Sequence, residues 1–107
     1  MKLTKTPFEK IESGQKIIES RLFDEKRRQI NVGDRIEFIQ TDNSDKKVVT
    51  KVTALYRYPL FSDLFSDFSP KYFGGESKED LLQEIRQFYS LEAESKFGVV
   101  GIKIEKE

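Results

Sequence analysis

The chain is 107 residues long and carries 19 basic against 19 acidic side chains, so no net basic field draws it onto nucleic acid or an anionic surface. It has no cysteine and no histidine, which excludes disulfides, Ser-His-Asp and Cys-His catalysis, and zinc sites built on those ligands. Nine Phe and four Tyr spread along an otherwise charged chain imply one folded domain over 1–107 with a ring-rich core; with no leader-like or membrane-length apolar segment, a cytoplasmic location is expected.

Taken in order, Lys2 to Thr4 reads as a short first strand. Thr6-Pro7-Phe8-Glu9 predicts a helix start, with Thr6 as N-cap, Pro7 at the first helical position and Glu9 closing a capping box; Gly14 supplies the left-handed stop. Ile17 to Phe23 is expected as a strand, Asp24 to Gln29 is a charge run with room for one helical turn, and Asn31 to Asp34 is a turn. Arg35 to Gln40 alternates as a strand, with Ile36 and Phe38 on one face. Thr41 to Lys46 has the composition of a hairpin loop. Lys47 to Tyr58 is a long β-branched run with Val48, Thr50, Val52, Ala54 and Tyr56 on one face, ended by Pro59. Phe61, Leu64, Phe65 and Phe68 recur at helical spacing, and Gly74-Gly75-Glu76 reads as a flexible loop. Ser77 and Asp80 cap a helix whose apolar stripe is Leu81, Leu82, Ile85, Phe88 and Tyr89, with a further turn over Ser90 to Lys96. Phe97 to Ile104 is the clearest strand, Val100, Ile102 and Ile104 opposing Val99, Gly101 and Lys103. Short strands around two or three helices predict an α+β domain whose sheet curls into a small β-barrel; the lack of regular strand–helix alternation argues against parallel winding.

The stretch Ser13-Gly14-Gln15-Lys16-Ile17-Ile18-Glu19-Ser20-Arg21 gathers charges of both signs at a glycine-marked turn. Alternation puts Glu19 and Arg21 on one strand face and Lys16 on the other, although at the turn the lysine stem can swing to either side. Lys16 could neutralise a phosphate, hold a developing oxyanion or act as a base in a dry cleft. Glu19 could accept from an exocyclic amine or activate a water, and Arg21 could orient Glu19 or stack on a base. The competing reading is a structural Glu19–Arg21 ion pair closing the barrel mouth. Lys26-Arg27-Arg28 and Lys46, Lys47 and Lys51 are basic clusters able to meet phosphates, although charge runs are more often solvated faces. Tyr56-Arg57-Tyr58 interleaves aromatic and basic groups as base-stacking surfaces do, with core packing the commoner role for Tyr56. Asp42 to Asp45 lacks the closing glutamate of a calcium loop and reads as a turn, so no metal or other cofactor is expected. Tyr72 and Phe73 beside Gly74-Gly75 have the composition of a lid that would carry Glu76 inward.

Three ordered segments carry a resemblance. Gly14-x-Lys16-x-x-Glu19-x-Arg21, then Val32-Gly33-Asp34-Arg35-Ile36, then Tyr89-Ser90-x-Glu92-x-Glu94 with Phe97-Gly98-Val99-Val100-Gly101-Ile102 together resemble the ASCH domain, the homology region named after the activating signal cointegrator. The resemblance implies a small β-barrel similar to the PUA RNA-binding domain, with a cleft beside the glycine turn and RNA or a modified nucleoside as partner. Gly14, Lys16, Glu19 and Arg21 would then bind the ligand, with Arg27 and Arg28 beside them on phosphates. One bacterial branch of that family removes the acetyl group from acetylcytidine nucleosides. It has a lysine matched by Lys16, a threonine where this chain has Glu19, and a loop glutamate for which Glu76 is the nearest counterpart. The alternative to plain binding is therefore an amidohydrolase of N-acylated cytidine nucleosides using Lys16, Glu19 and Glu76. A protein-interaction module with a merely structural charged cleft is the third reading.

Overall fold

A computed structural model describes residues 1–107. The elements are β1 (Lys2–Leu3), α1 (Lys5–Glu12), β2 (Ile18–Leu22), β3 (Arg35–Gln40), β4 (Asn43–Tyr58), α2 (Phe61–Asp67), α3 (Lys78–Ile85), α4 (Leu91–Phe97) and β5 (Val99–Lys106), with 3-10 turns at Arg27–Gln29 and Pro70–Phe73. One five-stranded sheet has the order β1-β3-β4-β5-β2. β1 runs parallel to β3 and every other pair is antiparallel. Arg21 Nη2, on one edge strand, donates to the Lys2 carbonyl on the other at 3.3 Å, so the sheet curls into a half-barrel whose seam lies between β1 and β2. This is the expected α+β barrel, with four α-helices where two or three were anticipated. No helix is long and apolar enough to cross a membrane.

Two apolar clusters sit on opposite faces of β5. Val100, Ile102 and Ile104 join Phe8 and Ile11 of α1 and Ile36, Phe38, Val48 and Val52 of the hairpin inside the barrel. Val99 faces the other way, into Phe61, Leu64 and Phe65 of α2, Phe73, Leu81 of α3, and Ile18 and Leu22 of β2. The strict alternation of β5 is what lets one strand serve both.

Local details depart from the sequence reading for identifiable reasons. α1 starts at Lys5 with Thr4 as its N-cap and no capping side chain, so Pro7 is the third helical residue. Proline is tolerated there because amides of the first turn have no intrahelical partner to lose. The hairpin loop shrinks to Thr41-Asp42, because Asn43 already pairs with Gln40 and Gln40 Nε2 donates to Asp42 Oδ1 at 2.7 Å. In β4 the register slips between Val52 and Ala54. A bulge at Thr53 reverses the faces beyond it, so Leu55 joins Val52 in the first cluster while Tyr56 packs against the second. Ser77 caps α3 as expected, its hydroxyl accepting from the Asp80 amide at 3.1 Å. That helix ends at Ile85, which throws Phe88 out of the apolar stripe to 62% exposure.

Candidate functional site at the glycine turn

Gly14, at φ +83°, stops α1 and reverses the chain. The Lys16 amide then folds back to the Lys10 carbonyl at 2.9 Å and the Ile17 amide donates to the Tyr72 carbonyl at 2.9 Å. Lys16 therefore precedes β2 and is not bound by its alternation. Its stem lies against Gly74, where a side-chain carbon would come within 3.3 Å of it, and Lys10 Nζ holds the Gly74 carbonyl at 2.6 Å. The Tyr72–Gly75 backbone thus pins the lysine from above.

At the centre is Glu19, 3% exposed. Its Oε1 accepts from Lys16 Nζ at 2.8 Å and from the Ser20 amide at 3.2 Å. Its Oε2 accepts from Arg21 Nη2 at 3.1 Å and Nε at 3.4 Å. Burial alone would push this carboxyl up, but the charges and hydrogen bonds of Lys16 and Arg21 together outweigh it and hold Glu19 below its ordinary range. Burial likewise works against the Arg21 cation, and Glu19, helped by the Tyr89 hydroxyl, raises its pKa regardless. A carboxylate with about four acceptor positions is filled by these contacts. The cations are not. Lys16 has two N–H bonds to spare, and Arg21, whose five donors meet Glu19 through Nε and Nη2, the Lys2 carbonyl and the Tyr89 hydroxyl, keeps one.

A cavity of about 190 Å³ opens at this triad along the β1–β2 seam. Lys2, Lys16 and Arg21 supply positive charge against Glu19 and Glu84, while Phe65, Phe73, Leu81, Ile85, Phe88 and Tyr89 form the apolar wall. Of the residues singled out in the sequence, Lys16, Glu19 and Arg21 converge here. Gly14 shapes the turn but does not line the cavity. Glu76 is exposed and does not line it. Arg27 pairs with Asp24 at 3.1 Å, and Arg28 lies over the Phe23 ring. Sequence reasoning missed Glu84, Phe88 and Tyr89 as cavity groups, since the apolar stripe of a helix gives no sign of which sheet edge it will meet.

The chain matches the ASCH domain over residues 1–107. The chain belongs to the ASCH domain family. A crystal structure of hypothetical protein PH0355 superposes on it with a TM-score of 0.86 at 37% identity, covering 100% of this chain and 96% of the other. The solution structure of protein PF0455 from Pyrococcus furiosus gives 0.75 at 35% identity, covering 99% and 94%. No curated protein matches. Within this ASCH domain the glycine-turn motif lies on the cavity and the Tyr89–Glu94 segment braces it. Glu94, 2% exposed, accepts twice from Arg86 Nη2 at 3.0 Å and once from the Phe61 amide at 3.1 Å. It thereby caps the start of α2 and ties it to the chain leaving α3, on either side of Tyr89.

Proposed function

We propose that this ASCH domain binds RNA or a free nucleotide by taking a single base, with its attached sugar or phosphate, into the seam cavity. The observation that carries the reading is the charge arrangement: one buried carboxylate, filled by Lys16, Arg21 and the Ser20 amide, beside a partly aromatic hollow that both cations line with donors to spare. Three cations against two carboxylates leave the lining with one net positive charge, suited to a nucleotide. At about 190 Å³ the cavity is smaller than the roughly 300–1,000 Å³ of drug-sized sites, which suits one base and not a folded RNA element. The spare donors of Lys16 and Arg21 match base carbonyls, ring nitrogens and phosphate oxygens. Glu19, its acceptor positions filled, organises the cations and does not read an exocyclic amine. Phe88, exposed at the mouth, offers a face for stacking.

The test is a thermal-shift and calorimetric titration with the four ribonucleosides and their 5′-monophosphates. At least one should raise the melting temperature, and Lys16→Ala should weaken its binding tenfold or more while the apo protein stays folded. No stabilisation by any of the eight, or wild-type affinity in the variant, would sink the reading.

A second reading, hydrolysis of N-acylated cytidine, is favoured by the 2.8 Å Lys16–Glu19 contact. If Lys16 swings onto an acyl carbonyl it can hold the oxyanion, and Glu19 Oε1, freed, can take the proton of an attacking water. The C–N bond then breaks, the amine leaves protonated by that same proton, and acetate is released. Cytidine and acetate from acetylcytidine with the wild type, but not with Lys16→Ala, is the expected product analysis under that reading.

A further inference from the structure

Away from the seam, the first residue past β2 organises a second basic and aromatic surface. The Phe23 amide donates to the Gly98 carbonyl at 2.9 Å, which anchors its backbone beside β5. Two guanidinium carbons lie over that ring, Arg57 at 4.1 Å and Arg28 at 4.5 Å from its centroid. Both arginines are exposed, and neither forms an ion pair or a side-chain hydrogen bond, unlike the adjacent Arg27 with Asp24. The ring edges a hollow of about 440 Å³ whose other walls include Tyr58, Pro59 and Phe97. Lys96 Nζ sits 5.1 Å over the Phe97 ring. The Tyr58 hydroxyl donates to Asp67 Oδ2 at 2.5 Å.

We propose that this hollow is a second RNA contact, where Arg28 and Arg57 hold backbone phosphates of a single strand and a base rests against Phe23, Tyr58 and Phe97. Stacking uses the flat faces of a guanidinium and leaves its edge N–H groups pointing outward, the geometry that a phosphate accepts from. Two like charges drawn to one ring, neither with an ion-pair partner, repel each other, and a bound phosphodiester relieves that repulsion. Aromatic faces interleaved with such donors stack bases with little regard to sequence. Arg21 and Phe23 are two residues apart on an extended chain, roughly 6–7 Å, so a strand with one base in the seam can pass along this edge of the sheet. The proposal rests on the RNA reading above, and its test separates the two.

A fluorescein-labelled oligouridine of about ten nucleotides is titrated with wild type, with Arg28→Gln/Arg57→Gln, and with Lys46→Gln/Lys47→Gln as a charge-matched control, across a potassium chloride series. The arginine pair should bind about tenfold more weakly, with its salt slope lowered by roughly 1.4, since each single-strand phosphate contact contributes about 0.7. The lysine pair should match wild type, and nucleoside-induced stabilisation should be the same in all three proteins. Unchanged affinity and slope in the arginine variant would overturn the second contact, and so would an equal loss in the lysine variant. Absence of oligouridine binding by wild type overturns it as well, while nucleoside stabilisation in that case leaves the seam reading standing.

Discussion

At the scale of single residues the molecule turns on Glu19. A carboxylate this deeply buried is costly unless its partners are in place, and removing one member of such a cluster leaves uncompensated charge. Glu19→Gln should therefore destabilise the fold by about 3 kcal/mol near neutral pH, with Lys16 and Arg21 left facing each other. The pH dependence follows from the same contacts. The folded-state pKa of Glu19 lies below the ordinary 4.5, so its stabilisation is complete above that value and is lost as pH falls beneath it. Urea midpoints measured from pH 7 to pH 3 should drop more steeply for wild type than for Glu19→Gln. Parallel curves would mean that the cluster contributes nothing to folding. This site was half legible in the sequence. The pairing of Glu19 with Arg21 follows from strand alternation alone. The approach of Lys16 does not, because the strand begins at Ile18 and the lysine is placed by one backbone bond to Lys10 and by the packing of Gly74, neither of which a local pattern announces. Glu76, expected to be carried inward by a lid, is exposed and outside the cavity lining: loop composition does not say which way a side chain turns.

Elements were legible where one periodicity ran uninterrupted and failed where it broke. β3 and β5 keep their alternation and were read with the correct faces. β4 does not: the bulge at Thr53 adds a residue, and a face counted forward from Val48 is wrong from Ala54 onward. α3 ends at Ile85 without a glycine or proline to announce it, so the stripe was read one turn too far. One close contact between elements is at Gly101. A side-chain carbon there would lie 2.9 Å from Leu64 Cδ1 and 3.2 Å from Ile18 Cγ2, so α2 rests on β5 where no side chain intervenes. Gly101→Ala should cost about 1–3 kcal/mol through overpacking, although alanine suits a strand better than glycine does. Leu64→Ala alone should cost about 2–5 kcal/mol as a cavity. The double variant should cost clearly less than the sum, since each change relieves the other's defect. Additive losses in a denaturation cycle would show that α2 does not press on Gly101.

At the scale of the whole molecule, the question is whether the two apolar clusters fold as one unit. They share β5, whose Val100, Ile102 and Ile104 belong to one and whose Val99 belongs to the other, and they share β4, whose Val48 and Val52 belong to the first while Tyr56 and Tyr58 pack against the second. A strand cannot leave one cluster without exposing the other, so the protein should unfold in a single transition. The chain provides a probe for this. There is no tryptophan; of the four tyrosines, Tyr56, Tyr58 and Tyr89 pack against the second cluster and Tyr72 precedes Phe73 of that same cluster, so tyrosine fluorescence reports mainly that side while far-UV dichroism reports the whole sheet. Phe38→Ala empties a fully buried position in the first cluster, remote from those rings, and should cost about 3–5 kcal/mol. If the clusters are one cooperative unit, the variant's tyrosine and dichroism curves shift together and still coincide. If tyrosine fluorescence keeps its wild-type midpoint while the dichroism splits into two steps, the barrel and the helical face are separate folding units. In that case the seam cavity, walled by both, would open whenever the weaker one did.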